Sequence, residues 1–267
     1  MKSFAFASAA ILAAFALSPV SLHAAANASD NAANYPQAGG YAGLNNGTGF
    51  GSAYIVNTNG ASTNNAGTFL GTSGANGNGG AGNIDTGGQS FGLYANSGAT
   101  TLINRSFAVG GPSGNAFLAA GQTFTLRIDN GFVDTGSSVG FNLLNSTGTS
   151  RFTFQFVGGN NAYTYNTAGT DVSTGVGFTA DGLTISYTQN AGTGFTLAVT
   201  PFGGTTTTIA SNVPVADIAQ FQVFNANAGS GTSNNAYFNS PTVVPEPTTM
   251  VLMAAGATGL VVFRRRR

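Results

Sequence analysis

The sequence predicts an all-β protein, an antiparallel two-sheet β-sandwich of jelly-roll or lectin-like kind. Three observations predict it: short runs of alternating apolar and polar residues, Gly/Asn turn signals between them, and no helical periodicity beyond a turn across residues 39–244. Phe124, Leu126 and Ile128 alternate with Thr123, Thr125 and Arg127; Val139, Phe141 and Leu143 alternate with Gly140 and Asn142. The same rhythm runs through Phe152, Phe154 and Phe156, through Leu183, Ile185 and Tyr187, and through Phe195, Leu197 and Val199. Period-two patterning in β-branched and aromatic residues marks strands that bury one face.

The punctuation agrees. Asp129-Asn130-Gly131, Gly158-Gly159-Asn160-Asn161, Asp181-Gly182 and Gly203-Gly204 are turn chemistry, because Gly and Asn reach positive φ at low cost. Further strands are expected near residues 50–57, 90–95, 100–108, 205–211, 218–225 and 236–243. The Gly/Asn-rich stretch 61–88 supports only one strand, around 68–71, within long loops; residues 27–38 read as a flexible leader to a domain over 39–244. No repeat of fixed period favours a β-helix.

Both ends read as processing segments. Met1-Lys2, an apolar run from Phe4 to Leu17 and small residues through Ala24-Ala25-Ala26 make residues 1–26 a secretory signal peptide, with Ala24 and Ala26 in the cleavage site. The other end reads Val244-Pro245-Glu246-Pro247, an apolar stretch at 248–263, and Arg264, Arg265, Arg266 and Arg267. At about 1.5 Å per residue the apolar stretch reaches roughly 24 Å, short of the ~30 Å hydrocarbon core; snorkelling arginines cover such a deficit. The arginines orient the segment with its end in the cytoplasm, and the prolines keep its helix out of the domain.

Three features in this order make residues 245–267 resemble a PEP-CTERM sorting signal. The resemblance implies a substrate of an exosortase, a membrane enzyme of Gram-negative envelopes, anchored transiently in the inner membrane and then released to the cell surface or extracellular matrix. An ordinary single-span anchor shares this topology and differs only in keeping the tail. The stretch from Ser90-Phe91-Gly92-Leu93-Tyr94 through Phe156-Val157-Gly158-Gly159 is also similar to a β-sandwich module of exported bacterial proteins, which implies fold and setting only.

Composition then narrows the chemistry. The chain has eight basic and eight acidic residues, but five of the basic ones lie in the two ends. Between them stand Arg105, Arg127 and Arg151 against seven aspartates, so the domain is mildly acidic and a poor partner for nucleic acid. There is no Cys; the single His, His23, and the single Glu, Glu246, both fall in the processed ends. A glycosidase needs two working carboxyls and a serine nucleophile needs a base, so the sequence predicts no enzyme. Zinc lacks its usual ligands.

What remains is oxygen chemistry and aromatic surface. Calcium is the one metal the composition permits, as a loop stabiliser with Asp129 and Asp134 as candidate ligands; the competing assignment is that turn aspartates cap their own backbone. Tyr163 and Tyr165 fall on one face after an Asn-rich turn and are candidate glycan contacts, against the alternative of packing at a sheet edge. The expectation is therefore a non-enzymatic surface or matrix protein associated with exopolysaccharide or biofilm, with a carbohydrate-binding module as the alternative.

Overall fold

The computed structural model describes residues 27–60, 64–77, 82–107, 117–167, 169–190 and 194–245. The expected signal peptide with Ala24 and Ala26 lies outside those residues, as does everything from Glu246 onward, including the 248–263 segment and Arg264 to Arg267.

The described residues form fifteen strands: β1 (Ala28–Ser29), β2 (Ile55–Asn59), β3 (Ala66–Gly71), β4 (Ser90–Ala95), β5 (Thr100–Ser106), β6 (Gln122–Asn130), β7 (Ser138–Leu144), β8 (Ser150–Val157), β9 (Ala162–Asn166), β10 (Val172–Gly177), β11 (Leu183–Gln189), β12 (Phe195–Pro201), β13 (Thr207–Ser211), β14 (Gln220–Ala226) and β15 (Ala236–Pro245). One sheet runs β13-β12-β11-β6-β15-β4-β3, with β1 also paired to β15. The other runs β10-β9-β8-β7-β14-β5-β2. All strand pairings are antiparallel, so the two-sheet sandwich expected from the alternation is the fold.

Aromatic rings join the two inner faces. Phe124 of β6 meets Phe221 of β14 with ring centroids 5.2 Å apart, and Tyr187 of β11 meets Phe152 of β8 at 4.9 Å. Both pairs reach from one sheet to the other, which is where alternating runs must put their apolar members. Offset and edge-on ring pairs add about 0.5–1.5 kcal/mol each beyond their burial.

The polar members of the same runs satisfy one another outside. Thr123 and Thr188 hydroxyls lie 2.8 Å apart, and Thr125 and Ser186 2.9 Å apart, across the β6–β11 pair. On the second sheet Thr153 donates to Asn142 (2.7 Å), Asn142 to Gln222 (2.9 Å), and Gln222 to Asn104 (2.7 Å), a ladder crossing β8, β7, β14 and β5. Cross-strand hydroxyl and amide pairs take the place that charge pairs hold on other sheets. Gly140 in β7 is required by packing: a Cβ there would sit 2.0 Å from the Phe154 carbonyl oxygen.

The structure corrects the expected flexible leader at 27–38. Ala28 and Ser29 pair with Val243 and Thr242 of β15. Asp30 is buried in an ion pair with Arg105, residues 32–34 form a 3-10 turn whose first amide (Ala32) donates to Asn239 Oδ1 at 3.0 Å, and Tyr35 packs edge-on against Phe91 at 5.3 Å. Each of these ties is to residues far along the chain, so small residues without periodicity concealed them. The described residues at 27–38 therefore belong to the folded domain.

Candidate functional site

The described part of the sorting joint is built into the sheet. Val243, Val244 and Pro245 pair with Phe124, Thr123 and Gln122 of β6, so Pro245, the first residue of the Pro-Glu-Pro motif, is also the last residue of β15. Proline is tolerated there because a strand's end needs no further amide donor.

The two tyrosines offered as candidate glycan contacts are packed inward. Tyr163 in β9 is 1% exposed, stacks on Phe154 with centroids 5.5 Å apart, and donates its hydroxyl to Asn130 Oδ1 at 2.7 Å. Burial holds its phenol far above the usual range. The two tyrosines do share a face, as alternation demands, but that face is the core. Tyr165 is partly buried, between Phe152 (6.3 Å) and Phe195 (5.8 Å). Neither ring is an open platform.

The carboxylates offered as candidate calcium ligands serve separate partners. Asp129, the last but one residue of β6, is fully buried and accepts a 2.7 Å hydrogen bond from Asn76 Nδ2. Burial pushes its carboxyl up to about 6; the Asn76 bond works against that rise, while Asp85 and Asp181 add to it. Asp134 is exposed, and Asn234 Nδ2 lies 3.5 Å from its Oδ1. Among the described residues no group of three or more His, Cys, Asp or Glu is placed to hold a metal ion.

Other carboxylates are held in the same structural way. Asp85 accepts from Thr72 (2.7 Å), Ser73 N (2.9 Å) and Ser90 (2.7 Å). Asp171 accepts from Gln155 and Asn166, each at 3.0 Å. Asp30 accepts from Arg105, from Tyr35 at 2.6 Å and from Asn34 at 2.9 Å. Burial first, then the Asp30 contact, pushes the Tyr35 phenol up to about 12.

Sequence reasoning missed the aromatic cleft. Phe132, Val133, Thr135, Phe156, Gly159, Asn160 and Phe178 line a depression of about 280 Å³. Phe132 is 63% exposed and Phe178 42%, and Phe178 leans on Phe156 with centroids 5.0 Å apart. Phe132 follows Asp129-Asn130-Gly131, which the sequence reads as a turn but whose first two residues continue β6, paired with Tyr237 and Ala236 of β15; that polar signal hid an exposed ring. A second depression of about 240 Å³, at the start of β11, gathers Arg127, Asn83, Thr184, Thr200 and Phe202.

No curated protein matches this chain. Solved structures with a distant likeness include the catalytic domain of a glycoside hydrolase family 131 protein from Coprinopsis cinerea (TM-score 0.48, 14% identity, 76% of this chain and 86% of that one). The cellulose-induced protein Cip1 gives a TM-score of 0.46 at 10% identity, over 72% and 90%. A sialidase gives 0.42 at 10% identity, and the match spans 60% of this chain but only 15% of the sialidase. The two-sheet fold stands on its own strand pairings and takes nothing from these likenesses. At the C-terminus the family of PEP-CTERM protein-sorting motifs matches residues 243–267. The chain therefore carries a PEP-CTERM sorting motif, which implies export, a membrane-anchored precursor and processing by an exosortase.

Proposed function

We propose that the domain is a non-enzymatic module of an exported protein, displayed at the cell surface or in the extracellular matrix and associated there with exopolysaccharide in a biofilm. The observation that supports a non-enzymatic role is the use of its acid groups. Residues 27–245 contain no His, Cys, Lys or Glu, and Asp30, Asp85, Asp129 and Asp171 are each engaged by a structural partner. Two carboxyls facing one open space, as glycoside hydrolysis requires, are not among these arrangements. The purified domain should release no reducing sugar from a panel of polysaccharides. Sugar release abolished by Asp129→Asn would sink the reading. Mass spectrometry of protein recovered from the cell surface tests the location, and an intact tail ending at Arg267 would replace sorting by plain anchoring.

The cleft at Phe132 and Phe178 favours a second reading, carbohydrate binding. Two exposed rings beside Asn160 and Thr135 offer apolar faces for a sugar ring and polar groups for its hydroxyls. A glycan array on the domain separates the readings: binding lost in Phe132→Ala and Phe178→Ala would favour the module.

A further inference from the structure

Among the described residues, the strand that runs into the sorting motif has one side that, beyond Phe238, only the N-terminal segment covers. Along β6 the pairing of β15 is continuous to Pro245 apart from one irregularity between Asn239 and Thr242, where Ser240 takes φ +52°. On the opposite side β4 covers only Ala236 to Phe238. Beyond the irregularity β1 takes over, pairing Ser29 with Thr242 and Ala28 with Val243. Backbone bonds fix it there: Asn27 N donates to the Val243 carbonyl at 2.7 Å, and Asp30 N to the Pro241 carbonyl at 3.0 Å.

β1 is itself enclosed. Ser29 and Thr48 exchange backbone hydrogen bonds of 2.9 Å in both directions. Gly49, at φ +73°, approaches so closely that a Cβ on it would lie 1.9 Å from the Asn27 carbonyl oxygen. The buried Asp30–Arg105 pair and the Ala32–Asn239 bond hold the next residues down. Without β1, Thr242 and Val243 would form a sheet edge with unpaired amide and carbonyl groups. Proteases and other partners bind extended chain by adding a strand to such an edge.

We propose that β1 guards the sorting joint: by occupying the free side of β15 at residues 241–243 it breaks the continuous strand edge a protease needs, so that residues 241–245 are denied to proteolysis and C-terminal cleavage is confined to bonds after Pro245. The idea rests on the sorting reading for its purpose but on the sheet for its mechanism. Hydrolysis of such a bond breaks one peptide C–N bond, adding water's hydroxyl to the acyl carbon and its proton to the leaving nitrogen. The retained domain then keeps β15 whole, whereas a cut at Val243 or Val244 would remove residues paired to β6.

The test uses the full chain in detergent, a broad-specificity endoprotease, and intact-mass measurement of the resistant fragment. The wild-type fragment should end at Pro245 or later. Gly49→Ala expels Asn27 while leaving both processing sequences unchanged, and should yield new ends within 241–245, appearing about tenfold faster as local opening becomes easier. Wild-type ends inside 241–245 overturn the guard whether or not the variant folds, and so does an unchanged boundary and rate in a folded Gly49→Ala protein. Coexpression with an exosortase is read separately: a tail retained to Arg267 alongside the expected protease boundary sinks the sorting reading and supports the guard.

Discussion

Asp30, close behind β1, and Arg105, in β5, form an ion pair with both side chains fully buried. The guanidinium lies between the rings of Phe50 and Tyr54, 4.2 and 4.3 Å from their centroids, and also donates from Nε to the Ser52 carbonyl at 3.2 Å and from Nη2 to Asn45. This links the N-terminal segment beside one sheet to β5, the strand next to the edge strand β2 of the other. Few charges exist in the domain, and one pair of them has been taken wholly out of water.

Removing one partner leaves the other charged, buried and unmatched. Asp30→Ala and Arg105→Ala should each destabilise the domain by about 3–5 kcal/mol, while the double change to apolar residues of similar volume should cost less than either. Urea unfolding with a constant m-value measures this directly. Two single variants within experimental error of wild type would show that the pair does not hold the segment down.

Tyr163 tests the inward reading of β9. Tyr163→Phe keeps the ring against Phe154 but strips Asn130 Oδ1 of its 2.7 Å hydrogen bond. The cost should be about 1–3 kcal/mol, the penalty for an unsatisfied buried acceptor, with no effect on binding to any glycan. A variant of wild-type stability with weakened glycan binding would put the tyrosine back at the surface.

Phe132 and Phe178 should behave in the opposite way. Both are substantially exposed, so alanine at either position should change stability by no more than about 0.5 kcal/mol for Phe132, and somewhat more for Phe178, which packs on Phe156. Thermal melts and glycan-array signals on the same preparations separate stability from recognition. A large loss of stability in Phe132→Ala would make it a packing residue and remove the case for a sugar platform.

How much of this was legible depended on how local each cause is. Strands β6, β7, β8, β11 and β12 follow from alternation because burial of one face writes itself into every second residue. β1 has two residues, and its existence depends on Val243 and Thr242 more than two hundred positions away, so nothing local announces it. β10 buries only Thr174 and Val176, the first of them polar, and leaves apolar Val172 exposed, which erased its rhythm. The sorting motif was readable because a processing enzyme must read it as linear sequence. The placement of Tyr163 and Tyr165 on one face was also readable, but which face lies inside is decided by the opposing sheet. Asp129 looked like a turn residue and a metal candidate; its burial against Asn76 comes from a 3-10 turn at Ser73–Asn76 that the Gly/Asn-rich composition did not signal.

Asp129 makes the stability of this domain depend on pH with an unusual sign. Its carboxyl ordinarily titrates near 3.8 and is pushed up to about 6 in the folded protein, chiefly by burial. The folded state therefore binds this proton more tightly than the unfolded chain, and stability is greatest while the group is protonated. Between about pH 4 and 6 the folded protein must either hold a proton the unfolded chain has released or bury a charge. Stability should then decline across that window by on the order of 2–3 kcal/mol and level off above it. Asp129→Asn keeps an oxygen to accept from Asn76 and cannot ionise, so it should flatten this part of the profile and stabilise the domain most at neutral pH. Urea midpoints of the two proteins at pH 4.5 and 7.5 decide the matter. If wild type and variant change in parallel, the buried carboxyl does not carry the raised affinity for its proton.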